Sequence, residues 1–357
     1  MNHYVQLDKR NIGKRQPCFV IAEAGVNHNG DIELAHQLVD IAAKAGADAV
    51  KFQSFVTEEL ITPDAPKAQY QVETTGEPGS QYKMLKALEL TSQQHGELKE
   101  HCDRAGIIYL CTPYENQSVD MLDSLDVAAY KIASTDTTNL PFLRYLASKD
   151  RPVILSTGMS NLGEVEQAVS TLKAGGLTDK IIILHCTSEY PAPLNEVNLR
   201  AMKTMEQAFA CPVGFSDHTP SIGASPWAVA VGACVVEKHF TLDRTLKGPD
   251  HRASLEPNEL SALVQTIRDV EVALGDGIKQ PTASELPNKP MMQKSLVARR
   301  HIKAGEVISA DALQCKRPGL GLEPFWAERI IGKRAAKDIS ADSNFSLASI
   351  NWDEDGY

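Results

Sequence analysis

The chain has 357 residues, enough for one large domain or for one large and one small domain. Hydrophobic residues make up 43% of it and charged residues 23%, as in folded globular proteins, and no apolar run reaches the roughly 18 residues of a membrane span. The formal net charge of −10 and the lack of a basic stripe argue against nucleic acid as a partner.

The seven cysteines are scattered, with no C-x-x-C pair among them. The first apolar stretch, residues 18–25, is too short and too late in the chain for a signal peptide. Because reduced thiols are typical of the cytoplasm, we expect a cytoplasmic protein without a membrane partner.

Short apolar runs alternate with helical patterns along the first 275 residues. Leu34, Leu38, Ile41 and Ala45, for example, recur at helical spacing after the first run. The eight runs are residues 18–24, 48–53, 107–112, 127–133, 152–157, 180–186, 211–216 and 234–240. Eight buried strands separated by helices predict an α/β fold, a (β/α)8 TIM barrel over residues 1–275. A doubly wound sheet is the alternative, but the chain lacks a G-x-G-x-x-G motif.

Three further segments do not follow the alternation of apolar runs and helical patterns. Residues 54–82, between the second strand and its helix, form an insertion long enough to predict a functional loop. Residues 276–293 are rich in proline and predict a linker. Residues 294–357 predict a small, mostly β domain with a strand, a turn at Ala304-Gly305 and another strand.

Polar residues stand at the predicted carboxyl ends of the strands, which is where the active sites of such barrels lie. They are Glu23, Lys51, Gln53, Thr112, Lys131, Ser134, Ser156, Thr157, His185, Ser216, His218, Glu237 and His239. Any one of them could simply cap a helix, but the convergence of so many predicts a polar site.

Two lysines, Lys51 and Lys131, belong to this set. A buried lysine needs a counter-charge, so the pair predicts a negatively charged ligand. The alternative is that each lysine pairs with a carboxylate of another strand end, such as Glu23 or Glu237.

Two histidines, His218 and His239, end the seventh and eighth strands, which are neighbours in a barrel. Imidazoles on adjacent strands can hold one divalent ion and leave positions for water and substrate, although imidazole does not select among transition metals. The alternative is a pair of hydrogen-bonded structural histidines.

Eight ordered motifs carry a resemblance to a known family. They are IAEAGVNHNGD (21–31), VKFQSF (50–55), YKIAS (130–134), ILSTGM (154–159), LHCTSEYPAP (184–193), GFSDHT (214–219), EKHFTLD (237–243) and GPDHRASLEP (248–257). Together they resemble the bacterial sialic acid synthases, and residues 298–324 resemble the antifreeze-protein-like (SAF) domain that closes such enzymes. The resemblance implies a transferase that condenses phosphoenolpyruvate with an N-acetylated mannose-type sugar to a nine-carbon 2-keto acid and phosphate.

The resemblance also implies roles for individual residues. Glu23 matches an acid/base carboxylate, and His218 and His239 match the ligands of a divalent metal, usually manganese, with magnesium or cobalt as alternatives. The positions matching the phosphoenolpyruvate pocket are Lys51, Thr112, Lys131, Ser134, Ser156 and Ser216. The positions matching the sugar side are Gln53, Tyr190 and Asp250. Arg317 matches an arginine that the small domain supplies to the other subunit of a domain-swapped homodimer.

The sugar is indicated by the segment Ser188-Glu-Tyr-Pro, where some members have Asn at the first position, and by RASLEP at 252–257. Both most resemble the members that make N,N′-diacetyllegionaminic acid from a 2,4-diacetamido-2,4,6-trideoxymannose, so Ser188 joins the substrate-binding candidates. N-acetylneuraminate synthase, using N-acetylmannosamine, is the alternative. Pseudaminate-forming members rank third, because they typically have Ile where Phe52 stands.

Two hypotheses from other classes remain open at this point. A metal-free Schiff-base aldolase would use Lys131 as its nucleophile. A carbohydrate-binding protein would use the small domain alone.

Overall fold

The computed structural model describes residues 4–67, 71–72 and 79–352. The chain divides into two compact units, Met1–Gly275 and Asp276–Tyr357, and each is described by itself. Within the described residues, no helix combines the length and the apolar character that crossing a membrane requires.

The first unit begins with an antiparallel hairpin of β1, Tyr4–Leu7, and β2, Arg10–Gly13, and continues into a closed barrel of eight parallel strands. The barrel strands are β3 Phe19–Gly25, β4 Ala49–Ser54, β5 Ile108–Pro113, β6 Tyr130–Ile132, β7 Val153–Ser156, β8 Ile181–Cys186, β9 Val213–Asp217 and β10 Val235–His239. They pair in chain order, and β10 pairs with β3 to close the barrel. The predicted (β/α)8 architecture is confirmed.

Helices separate the strands and cover the barrel. They are α1 Ile32–Lys44, α2 Thr57–Leu60, α3 Gln81–Lys86, α4 Ser92–Ala105, α5 Asn116–Ser124, α6 Leu140–Ala147, α7 Leu162–Ala174, α8 Arg200–Phe209, α9 Ser225–Ala230 and α10 Pro257–Leu274. Local signals set their ends. In α4, Thr91 and Gln94 form a reciprocal capping box, and Gly106 ends the helix in the left-handed conformation at φ 73°.

The hairpin closes one end of the barrel. Val5, Leu7 and Ile12 are buried against barrel-interior residues such as Phe19 and Ala49, which begin their strands. The amino-terminal end of the barrel is therefore filled with apolar side chains, and the opposite end remains for the site.

The insertion after β4 contributes helices α2 and α3, and a bridge between Pro66 and Ser80 joins its two ends. Val26, Phe55 and Leu88 form a small apolar cluster, and Leu60 and Met84 pack against it. The parts of this predicted loop at 68–70 and 73–78 lie outside the described residues.

The second unit consists of short elements around its own apolar core. They are α11 Lys289–Met292, β11 Ser295–Ala298, β12 Leu313–Lys316, α12 Ala327–Ile330, β13 Arg334–Ala335 and β14 Ile350–Asn351. The core residues include Leu296, Ile308, Ile339 and Phe345. The predicted mostly β character is confirmed.

One detail of the second unit differs from the prediction. The turn lies at Gly305, with φ 79°, but the segment after it makes only an isolated bridge at Val307 instead of a regular strand. The backbone of this segment bonds to residues 332–335, as in Ile308 N–H to Lys333 O and Ala335 N–H to Glu306 O, both at 2.9 Å, but only Val307 and Arg334 form a bridge, so no regular strand is built.

Candidate active site

A cavity of about 930 Å³ opens at the carboxyl ends of the barrel strands. The sequence-predicted residues that line it are Glu23, Lys51, Gln53, Thr112, Lys131, Ser134, Ser156, Ser188, Tyr190, Ser216, His218, Glu237, His239 and Asp250. Parallel strands bring these ends together although the residues are spread over more than 200 positions of the chain. The predicted convergence of polar strand ends is therefore present in the structure.

Buried charges form the floor of the cavity. Lys51 Nζ lies 2.8 Å from Glu23 Oε2 and 3.8 Å from Glu237 Oε2, and Lys131 Nζ lies 3.6 Å from Glu237 Oε1. All four side chains are at most 5% exposed. The lysines thus have carboxylate partners, as the alternative interpretation of the sequence held, and an incoming anion would have to compete with them.

Hydroxyl groups complete the surroundings of the two lysines. Lys51 Nζ donates to Thr112 Oγ1 at 3.0 Å, and Lys131 Nζ donates to Ser156 Oγ at 2.7 Å. The ammonium groups are thereby held at neighbouring places on the cavity floor.

The protonation of the four charged groups is unequal. Burial raises the pKa of Glu23 to about 7, although the charge of Lys51 opposes the shift. Burial would also raise the pKa of Glu237, but the charges of Lys131 and Lys51 outweigh it and the pKa is lowered. At neutral pH, Glu237 therefore stays ionised while a proton resides on a large fraction of Glu23, which leaves Lys51 with less counter-charge.

The lysines also differ from each other. Burial lowers the pKa of Lys131, with Glu237 opposing the shift. Burial acts in the same direction on Lys51, but the charges of Glu23 and Glu237 prevail and its pKa is raised. Lys51 is therefore a firmly charged cation in this structure.

The rings of His218 and His239 are neighbours in the cavity wall. Their centroids are 5.6 Å apart, and the rings are arranged edge to face. The ring of Tyr190 lies 4.1 Å from that of His218. His218 Nδ1 is 2.7 Å from the carbonyl oxygen of Thr187, which can only accept, so Nδ1 carries the proton and Nε2 presents its lone pair. Burial lowers the pKa of His218 to about 4 and lowers the pKa of His239 well below its usual range.

These two imidazoles fit a divalent metal. Both are neutral at pH 7, which is the form that ligates a metal. His239 Nδ1 is buried without a hydrogen-bond partner among the described residues, and the nearest carboxylate oxygen, Asp250 Oδ2, is 3.9 Å away. No cluster of three or more acidic, cysteine or histidine ligands occurs in the described part of the chain. The protein would thus supply two ligands and leave the other positions to water and substrate.

Glycine makes room for the serines of the cavity. The N–H of Gly158 donates to Ser134 Oγ at 3.0 Å, and Ser134 Oγ lies 3.1 Å from Cys186 Sγ. A Cβ at position 158 would lie only 2.1 Å from Ser188 Oγ. The close approach of these hydroxyls therefore requires glycine at this position.

Two of the strand-end residues, His185 and Thr157, do not line the cavity. His185 Nε2 bonds the carbonyl of Val197 at 2.7 Å, and Thr157 Oγ1 donates to the carbonyl of Leu184 at 2.9 Å, so both serve the backbone instead. Arg317 is an exposed residue of the second unit.

Sequence reasoning missed the apolar wall of the cavity. Phe55, Leu60, Ile61, Met84 and Leu85 line it, and all come from the segment between β4 and α4, which contains the insertion and helix α3. Its length was a signal of function, but no spacing rule shows which of its side chains face inward. Another missed lining residue is Met159, whose φ of 64° is unusual for a residue with a side chain.

The chain is similar to known proteins along most of its length. Residues 38–279 match the model of the NeuB family, and residues 293–349 match the SAF domain. The chain is 50% identical to the N,N′-diacetyllegionaminic acid synthase of Campylobacter jejuni, over 90% of this chain and 97% of that protein. It is 47% identical to the protein of the same name from Legionella pneumophila, over 92% and 93% of the two chains.

A solved structure of similar fold is the N-acetylneuraminic acid (sialic acid) synthetase of Leptospira borgpetersenii, crystallised with citrate. The TM-score is 0.72 at 36% sequence identity, covering 81% of this chain and 95% of that one. With a family match over most of the barrel and relatives of this similarity along nearly the whole chain, the protein belongs to the NeuB family.

Proposed function

We propose that this protein condenses phosphoenolpyruvate with an N-acetylated mannose-type sugar, and that its product is N,N′-diacetyllegionaminic acid. The observation that carries the proposal is the similarity, along nearly the whole chain, to two N,N′-diacetyllegionaminic acid synthases. The cavity supports it, because its buried lysines suit an anionic substrate and its neutral histidines suit a metal.

In the proposed reaction, C3 of phosphoenolpyruvate attacks the aldehyde carbon of the open-chain sugar. Water then adds to the cationic C2, and phosphate leaves as the C2–O bond breaks, so one water is consumed and one phosphate released. Lys51 and Lys131, with Thr112 and Ser156, hold the phosphate and carboxylate of phosphoenolpyruvate. Holding both substrates in register supplies much of the acceleration.

Glu23 is proposed as the acid that protonates the sugar oxygen when the new carbon–carbon bond forms. Its raised pKa gives it a proton to donate near neutrality. Gln53, one of the residues proposed to bind the sugar, has its Nε2 atom 3.4 Å from Glu23 Oε1. This contact orients the carboxyl group.

His218 and His239 would hold the divalent metal, with manganese as the proposed ion. When bound, the metal supplies Lewis-acid polarisation of the sugar aldehyde. The hydrogen bond from His218 Nδ1 to Thr187 O keeps the ring of His218 in a ligating tautomer. The residues proposed for the sugar are Gln53, Ser188, Tyr190 and Asp250, all on the cavity wall.

The test is phosphate release from phosphoenolpyruvate with a panel of sugars. We expect kcat/KM for 2,4-diacetamido-2,4,6-trideoxymannose to exceed that for N-acetylmannosamine by about tenfold or more, because a site matched to one set of polar groups discriminates against analogues that lack them. A preference for N-acetylmannosamine would instead favour N-acetylneuraminate synthase. Trapping of a substrate on Lys131 by borohydride would favour the aldolase.

The anion site has its own test. Lys51→Ala and Lys131→Ala should each raise KM for phosphoenolpyruvate about ten- to a hundredfold, because a hydrogen bond to a charged group contributes about 1.5–3 kcal/mol. The KM for the sugar should change far less. Lys149→Ala, which removes a partly exposed lysine paired with Asp120 outside the cavity, is the matched control and should leave both constants unchanged. An unaltered KM and kcat for phosphoenolpyruvate in both cavity variants would contradict the assignment.

We propose a domain-swapped homodimer in which Arg317 acts in the site of the other subunit, on the resemblance stated above. Lys51→Ala and Arg317→Ala should then each be weak or inactive alone. Co-refolding them should restore about a quarter of wild-type sites, because half of the dimers contain one intact site out of two. If mixing restores nothing, each arginine serves its own chain.

The cytoplasm is the proposed location. All seven cysteines are free thiols, and all but Cys315 are buried. A reducing compartment maintains that state.

A further inference from the structure

Each of the two histidines directly follows a member of a buried ion pair. Asp217 precedes His218 at the end of β9, Lys238 precedes His239 at the end of β10, and Asp217 and Lys238 are paired in the strand register. Because side chains alternate along a strand, this ion pair points away from the cavity, towards the helices. Lys238 Nζ lies 3.2 Å from Asp217 Oδ2, and the two side chains are 1% and 0% exposed.

The loop after β9 is folded around the carboxylate of Asp217. Oδ1 accepts the N–H and the hydroxyl of Thr219 at 2.8 and 2.6 Å, and Oδ2 accepts the N–H and the hydroxyl of Ser225 at 3.0 and 2.6 Å. Lys238 Nζ also donates to the carbonyl of Thr219. Gly223, at φ 63°, allows this close packing, since a Cβ there would lie 2.0 Å from Thr219 Oγ1 and 2.9 Å from Asp217 Oδ2.

The consequence for His218 is that both of its chain neighbours are anchored. Asp217 and Thr219 are held by the ion pair and its hydrogen bonds, and the carbonyl of His218 accepts the N–H of Ala192 at 2.9 Å. His239 in turn follows the anchored Lys238. The pair therefore ties together the two backbone segments that carry the imidazoles.

Stability alone does not account for a charged pair at this place, because well-packed apolar residues often stabilise a core as well as a buried ion pair does. We propose that Asp217 and Lys238 are positioning residues that set the spacing of His218 and His239 and thereby the affinity of the site for a divalent metal ion. This inference rests on the proposed function, because it takes the two histidines as the metal ligands.

The test is the binding of Mn²⁺ to the chelator-treated, full-length protein, measured by titration calorimetry, with unfolding in urea measured in parallel. The main variant is Asp217→Asn combined with Lys238→Met, which leaves no unpaired buried charge. The control is Arg268→Met, which breaks the 2.9 Å contact of Arg268 with Asp48 at the start of β4, away from the cavity. We expect the double variant to bind Mn²⁺ about ten- to a hundredfold more weakly and the control to keep the wild-type Kd even if it loses stability, because groups behind metal ligands affect affinity on this scale.

A second variant, Thr219→Val, removes the hydrogen bond from the Thr219 hydroxyl to Asp217 and keeps both charges. It replaces the double variant in the Mn²⁺ titration if the double variant does not fold. It should show a smaller loss of affinity in the same direction. Wild-type affinity in the double variant, or in Thr219→Val if only that one folds, would overturn the inference and leave the proposed function intact. If the wild-type protein itself does not bind Mn²⁺, the proposed metal site fails and the inference fails with it.

Discussion

Replacing His218 or His239 by alanine should reduce turnover by about a thousandfold or more while the barrel remains folded. Lewis-acid polarisation contributes several kcal/mol to such reactions, and each 1.36 kcal/mol corresponds to a factor of ten in rate. Both side chains face the cavity instead of the apolar core, so their removal opens space at the site and leaves the packing between strands and helices intact. The measurements are kcat with added Mn²⁺ and the Kd for Mn²⁺.

His185→Ala is the matched control, because His185 is the penultimate residue of the neighbouring strand β8 and its hydrogen bond among the described residues is to a backbone carbonyl. It should lower stability and leave the Kd for Mn²⁺ and most of kcat unchanged. Chelator treatment of the wild-type protein should abolish turnover, and a divalent ion should restore it. Full activity after chelation, with no metal added, would show that the two histidines have another role.

The barrel was predictable because its strands are buried on both faces and therefore read as continuous apolar runs. Residues 180–186 and 234–240, for example, were predicted as strands, and the structure has β8 at Ile181–Cys186 and β10 at Val235–His239. The weakest match is β6. The apolar run covers 127–133, but only Tyr130–Ile132 form the strand, which pairs with β7 at three residues and with β5 at one.

The hairpin at the start of the chain was not predicted, although its signal is present. In β1, buried Val5 and Leu7 alternate with exposed Tyr4 and Gln6, which is the period of a half-buried strand, whereas β2 does not alternate because Ile12 and Gly13 are both buried. A single strand of four residues is too short for its alternation to stand out from chance. The stability of the hairpin comes from plugging the barrel, which is a tertiary effect.

Within the site, the strand ends could be predicted from the sequence. The direction of each side chain and its bonding partners could not. His185 and His239 look alike in the sequence, yet His185 bonds the backbone and His239 lines the cavity. Whether Lys51 faces an anion or a carboxylate depends on distances between strands that are far apart in the chain, and the structure places Glu23 at 2.8 Å. Such pairings follow from barrel closure and have no local signal.

Glu23→Gln should lower kcat about a hundredfold to ten-thousandfold, because it removes the proposed proton donor and keeps the shape of the side chain. It should also change the pH dependence of the enzyme. Burial raises the pKa of Glu23 to about 7, so the protonated form dominates below pH 7 and is lost above it. Ionised Glu23 competes with the phosphoenolpyruvate anion for Lys51. In the wild-type protein, kcat/KM for phosphoenolpyruvate should therefore fall as the pH rises through about 7.

In Glu23→Gln the side chain is neutral at every pH, so the fall near pH 7 should disappear while KM for phosphoenolpyruvate stays near its low-pH value. Asp250→Asn is the control, since burial raises the pKa of Asp250 only to about 6, and this variant should keep the fall. The measurement is kcat and KM for phosphoenolpyruvate from about pH 5.5 to 9, which spans both carboxyl groups. A Gln variant that retains the same fall would assign it to another group, and a Gln variant with wild-type kcat would remove Glu23 from the chemistry.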